Sequence, residues 1–220
     1  GRAWMILLTG FGGYGGQGSN PSSLLADRLD GSQISGHEVV GRTLPVGLGA
    51  VRRDVPTLLD ELQPDLVLSL GLWPGEPVIR LERLATNHCD FEIPDMGDAW
   101  HKGPVRPGRP DAYLTALPMD LMQRSIRDMG VPCRTSMSAG TYLCNALYYL
   151  FSDECQSRST RAVGFMHLPY LPSQVAALMD DVLADPALEL HQRSDLASMA
   201  LADMERAIHA GLSCALEEIA

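Results

Sequence analysis

The chain has 220 residues, 45% hydrophobic and 20% charged, which suits one globular domain with a sizeable core. Its net charge of -10 repels phosphate backbones and anionic lipid, so neither nucleic acid nor a membrane is an expected partner, and no run approaches the ~18 apolar residues of a membrane helix. Cys89, Cys133, Cys144, Cys155 and Cys214 are odd in number, widely spaced and without a CxxC or His-Cys cluster. This predicts reduced thiols in a cytoplasm, with no metal site and no cofactor.

Met5 to Thr9 reads as a strand. The apolar run around it is too short for a secretory h-region and no small-residue cleavage site follows, so export is not expected. Next, Gly10-Phe11-Gly12-Gly13-Tyr14-Gly15 formally matches GxGxxG, with Asp30 about twenty residues further on, as in a dinucleotide fingerprint. In that fingerprint the helix opens inside the glycine run. Here Gly16, Gly18 and Pro21 postpone it, with Ser19 or Asn20 as cap and Pro21 in the first turn. Nucleotide binding is therefore disfavoured. The loop reads either as a flexible aromatic rim of a small pocket or as a tight turn with two packed aromatics, and composition does not choose.

Further along, strands are expected at Glu38 to Pro45, Leu66 to Leu70, Ile79 to Ala85, Cys133 to Ser136 and Ala162 to His167. Helices are expected at Pro21 to Leu29, Ala50 to Gln63, Met119 to Met129, Thr141 to Phe151, Ser173 to Leu183 and Asp195 to Glu218. Asp95 to Pro118, rich in Gly and Pro, and Asp185 to Ser194 fit neither period. The alternation predicts a single-domain α/β/α sandwich over residues 1–220, built on a mostly parallel twisted sheet.

Three residues carry chemistry. Cys144 follows the small residues Ser138-Ala139-Gly140-Thr141 and falls in the first turn of an apolar helix, where partial positive charge favours the thiolate. A buried structural cysteine has the same signature. His167 closes an apolar strand, at the carboxyl edge where open α/β sheets bind ligands, and suits a general base as well as a hydrogen-bonded structural histidine. Glu82 is a carboxylate in an apolar strand and needs a partner. Orienting an imidazole would supply one; so would Arg83 or another cation.

Spacing alone does not select these three. However, four blocks in order along the chain resemble the pyroglutamyl peptidase I family (pyrrolidone-carboxylate peptidases). They are Leu8-Thr9-Gly10-Phe11 with Asn20-Pro21-Ser22; Glu82-Arg83-Leu84-Ala85-Thr86-Asn87 with Ile93-Pro94-Asp95; Ala139-Gly140-Thr141-Tyr142-Leu143-Cys144-Asn145; and Gly164-Phe165-Met166-His167-Leu168-Pro169-Tyr170-Leu171-Pro172 with Gln174. The resemblance implies a catalytic triad of Cys144, His167 and Glu82. It also implies a pocket for a neutral five-membered lactam at Phe11, Tyr14, Val46, Leu72, Ile93, Tyr142 and Leu143. The implied substrate is a peptide with an N-terminal pyroglutamate, and the implied assembly is a homodimer or homotetramer. Trp100 and Tyr113, large aromatics in the irregular segment, either contribute buried surface to it or fold back onto their own subunit.

The chain departs from the family pattern at Leu72-Trp73-Pro74, which reshapes a loop, and at Glu92, where a basic residue is common. A carboxylate there opposes a thiolate or oxyanion. Tyr14 and Tyr142 replace phenylalanines and bring hydroxyls that need partners. A related cysteine amidase acting on another small acyl or lactam substrate, or a catalytically inactive binding relative, is the competing expectation.

Overall fold

A computed structural model describes residues 1–12, 20–184 and 196–220. Its central sheet has seven strands. In chain order they are β1 (Met5–Phe11), β2 (Gln33–Ile34), β3 (His37–Leu44), β4 (Leu66–Leu72), β5 (Ile79–Glu82), β10 (Cys133–Ser136) and β11 (Ala162–Leu168). They lie side by side in the order β10-β5-β11-β4-β1-β3-β2. The pairs β1–β3, β1–β4, β4–β11 and β5–β10 are parallel, while β5–β11 and β2–β3 are antiparallel. The expected mostly parallel sheet is therefore present. β1, β4 and β11 are almost wholly apolar because helices cover both their faces.

Six helices complete the layers among the described residues: α1 (Pro21–Leu29), α2 (Leu48–Leu62), α3 (Met119–Asp128), α4 (Leu143–Cys155), α5 (Pro172–Ala184) and α6 (Leu201–Ile219). α1, α3 and α6 bury Leu25, Met122, Ile126, Ile208 and Leu212 against one face of the sheet. α2 and α4 bury Val51, Val55, Leu147 and Phe151 against the other. Each such side chain contributes about 1.5–3 kcal/mol of burial. Asn20 caps α1, its side chain accepting from Ser22 N–H, with Pro21 at the first position as the sequence predicts. Gly10 allows α1 to lie this close, since a Cβ there would run into the Ser22 carbonyl. No described helix is long and apolar enough to cross a membrane.

Two expectations are corrected. The run Ile79 to Ala85 is not one strand. After β5 the chain turns at Arg83, and β6 (Leu84–Thr86) pairs antiparallel with β9 (Ala112–Leu114) in a separate ribbon. β9 and the short β8 (Lys102–Gly103), which pairs with β7 (Cys89–Asp90), lie in the segment that showed no period. α6 starts at Leu201, not at Asp195, and Asp185 to Ser194 lies outside the described residues.

Candidate active site

The register of three strands puts the chemistry on one face. His167 of β11 stands opposite Gly71 of β4 and opposite Arg80 of β5, and Phe165 stands opposite Glu82. Residues two apart share a face of a strand, and paired residues share a face of the sheet. Arg80, Glu82, Phe165, His167 and Gly71 therefore all face α4, while Leu81 and Met166 point into the opposite core.

Cys144 is the second residue of α4. Tyr142 is the N-cap, and no side chain caps the first-turn amides. Gly140 ahead of it holds φ at 85°, a conformation natural to glycine. The Cys144 thiol comes so close to β4 that a Cβ at Gly71 would lie 2.6 Å from Sγ. Cys144 and His167 line one cleft of about 440 Å³, together with Leu72, Trp73, Ile93 and Tyr142 among others.

Glu82 is fully buried and His167 is 2% exposed. His167 Nδ1 lies 2.9 Å from Glu82 Oε1. A carboxylate only accepts, so Nδ1 carries the proton and Nε2 keeps its lone pair. The two partners weighed for Glu82 are both realised, the cation being Arg80 (Nε to Oε1, 3.1 Å). Arg83 pairs with Asp120 instead. Glu82 Oε2 is buried with no hydrogen-bond partner among the described residues.

The electrostatics differ from the simple helix-terminus expectation. Burial, reinforced by the Glu82 charge, pushes the Cys144 thiol up to about 12. Burial also holds His167 below its ordinary value, outweighing the Glu82 hydrogen bond that pulls it up. The resting pair is a neutral thiol beside a neutral imidazole whose free nitrogen can accept a proton.

Of the residues expected at a lactam pocket, Leu72, Ile93 and Tyr142 line the cleft. The Tyr142 hydroxyl donates to the Pro94 carbonyl at 3.0 Å, and its ring packs 4.7 Å from Phe91. Phe11, Val46 and Leu143 do not line the cleft but are buried in the α2–α4 core beside it. Tyr14 lies outside the described residues. Glu92 and Asp90 also line the cleft, and Asp90 is paired with Lys102 at 3.2 Å.

The loop at Ile93–Asp98 is held by Asp95, whose carboxylate accepts from the amides of Leu48, Gly97 and Ala99. Sequence reasoning gave Asp95 no role. An acid five residues after β7 signals nothing until α2 is seen to begin on it. Of the two aromatics in the irregular segment, Tyr113 folds back onto its own chain, its hydroxyl 2.5 Å from Asp153 and its ring against Tyr149. Trp100 is 62% exposed.

A family model described as pyroglutamyl peptidase matches residues 4–212. The chain is 34% identical to the pyrrolidone-carboxylate peptidase of Pseudomonas fluorescens over 96% of its own length and 92% of that protein's. It is 38% identical to the protein of that name from Pyrococcus furiosus, over 77% and 83% of the two chains. Its fold matches the pyrrolidone carboxyl peptidase of Thermococcus litoralis with a TM-score of 0.86 at 32% identity, covering 97% and 94%.

Proposed function

The chain belongs to the pyroglutamyl peptidase family, and from that premise we propose that it is a cysteine exopeptidase. It removes the N-terminal pyroglutamyl (5-oxoprolyl) group of peptides through a thioester. The observation that carries this is the convergence of Cys144 and His167 on one cleft, with His167 Nδ1 fixed on buried Glu82. The names of the relatives favour it over an amidase or an inactive binding protein.

The substrate's lactam sits against Leu72, Ile93 and Tyr142, apolar and aromatic surface suited to a ring with no charge and no free amine. As Cys144 Sγ attacks the carbonyl carbon, its proton passes to His167 Nε2. Burial disfavours a free thiolate, which is why the attack is drawn with His167 taking the proton. The uncapped amides at the start of α4 face the developing oxyanion with the positive end of the helix. Collapse breaks the C–N bond, and the proton on His167 leaves with the amine. Water then attacks the thioester, again giving its proton to His167, and 5-oxoproline departs as the thiol is restored.

The five free cysteines fit a reducing cytoplasm. The exposed run of Ile93, Met96 and Trp100 beside the cleft is where we place the contact of a homodimer or homotetramer. A pyroglutamyl fluorogenic amide tests the activity. Release that is stopped by iodoacetamide and absent in Cys144→Ala is expected. Release that survives both overturns the proposal.

A further inference from the structure

Nothing in the sequence singles out Arg80, which shares the four-residue β5 with Glu82. In the structure its side chain is 12% exposed and every donor group of its fork is used. Nε donates to Glu82 Oε1 at 3.1 Å, the same oxygen that accepts from His167 Nδ1. Nη1 faces Glu76 Oε2 at 3.4 Å. Nη2 donates to Ser136 Oγ at 2.6 Å and to the Ser138 carbonyl at 2.8 Å.

One flat face of the guanidinium lies 3.9 Å from the centre of the Trp73 ring. That ring stands edge-on to the His167 imidazole at 5.0 Å and reaches Gly140 on the other side. Ser138 and Gly140 belong to the turn that leads into α4 and Cys144, itself closed by Ser138 N–H to Ser136 Oγ and Gly140 N–H to Ser138 Oγ.

We propose that Arg80 is a positioning residue of this site: one guanidinium clamps the carboxylate behind His167, the Trp73 wall beside it and the turn that delivers Cys144. The inference deepens the peptidase reading and rests on it for the roles of Cys144 and His167. It follows from what the group is. A planar fork with five donors can hold a carboxylate, a hydroxyl and a carbonyl in its plane while an aromatic ring covers its face. A lysine ammonium, a point charge, cannot do both.

The clamp also sets the charge around the imidazole. His167 is faced by Glu82 and Arg80 from β5, by Glu76 from the turn after β4, by the Cys144 thiol from α4, and by Asp90 and Glu92 across the cleft. Arg134 of β10 acts indirectly, through Glu76 at 2.6 Å. Arg80 is the cation that contacts Glu82, and it faces Glu76 as well. Its charge lowers the His167 pKa, whereas Glu82 and Glu76 raise it. Removing it leaves Glu82 without its cation and Glu76 held by Arg134 alone.

Two variants separate the charge from the fork, and neither readout needs a substrate. The first is an imidazole 15N NMR titration of His167, assigned among the six histidines by its loss in His167→Asn. The second is the rate at which iodoacetamide alkylates Cys144, followed by mass spectrometry of its peptide. In folded Arg80→Gln, His167 is expected to titrate on the order of one pH unit higher. In Arg80→Lys the titration stays near that of the unaltered protein, because the charge remains, while alkylation slows on the order of 10-fold because the turn is no longer held.

A His167 titration unmoved in Arg80→Gln, or alkylation unchanged in Arg80→Lys, overturns the clamp. Should Arg80→Gln fail to fold, Arg80→Lys decides by alkylation alone. Failure of the fluorogenic amide to turn over would remove the peptidase reading and leave these two outcomes standing.

Discussion

At Cys144 two effects oppose each other. A place in the first turn of α4 favours the thiolate, but burial and the Glu82 charge push the thiol up to about 12, and burial wins. In the proposed mechanism catalysis depends on neutral His167, so the acid limb of kcat/KM is expected below pH 6.5, the ordinary histidine value from which burial lowers it. Glu82→Gln removes the charge that raises the His167 pKa and leaves a neutral amide oxygen as the weaker acceptor. The limb should therefore move further down in pH, while kcat falls on the order of 10²–10⁴-fold and substrate still binds. Steady-state kinetics across pH check both. A limb that moves up, or kinetics that do not change, contradict the orienting role. Residue type and place made Cys144 and His167 readable as candidates, and family resemblance chose them. The pairing of Glu82 with Arg80, two positions away in the same strand, was not legible, because such a contact depends on both side chains leaning along one face of the sheet.

The elements bring these residues together through register. β4 and β11 run parallel with Gly71 beside His167, and β5 runs antiparallel to β11 with Glu82 beside Phe165. The apolar runs announced β1, β3, β4, β5, β10 and β11 to within a few residues, but not the two-residue β2, and they do not encode which strand lies beside which, nor that β5 reverses direction. β6 and β9 show the limit more sharply. Each is three residues long and is stabilised by a partner more than twenty residues away in sequence, so no local period marks them. Gly71 follows from the same register. With a Cβ there lying 2.6 Å from Sγ and 2.9 Å from Phe165, Gly71→Ala must displace the thiol. A loss on the order of 10²-fold in kcat is expected with an unchanged circular dichroism spectrum. Full activity would show that Sγ works from another position.

For the whole molecule, pH sets stability in two windows. His167 is held neutral by burial, so an unfolded chain binds its proton more readily. The contribution is full above pH 6.5 and is lost as pH falls toward the lowered folded value. Three carboxyls lie below their ordinary 3.8. Asp65 is held there by the hydrogen bond from Arg2 against the cost of burial. At Asp95 burial is the largest influence and acts upward, but the amides of Leu48, Ala99 and Gly97 together outweigh it. At Asp153 burial likewise acts upward and is outweighed by Arg109, Tyr113 and Arg106. Their stabilisation is present above pH 3.8 and is lost as pH falls through their depressed values. Thermal unfolding should decline gently below pH 6.5 and steeply below 3.8, and His167→Asn should lose only the first decline. A midpoint that is flat through both windows contradicts this. Layer order was legible in the alternation of strands and helices. The ties that anchor residues 102–118 to the end of α4, Arg106 and Arg109 on Asp153, were not, because they join charges more than forty residues apart.

Whether Cys144 carries the pyroglutamyl group as a thioester is decided by acid-quenching the protein within its first turnovers of a pyroglutamyl amide. The peptide containing Cys144 is then weighed by mass spectrometry. A 5-oxoprolyl adduct is expected on Cys144, vanishing with time as free acid appears. No adduct and no hydrolysis are expected in Cys144→Ala. Hydrolysis at the full rate in Cys144→Ala, or an adduct carried by another residue, would contradict the role of Cys144.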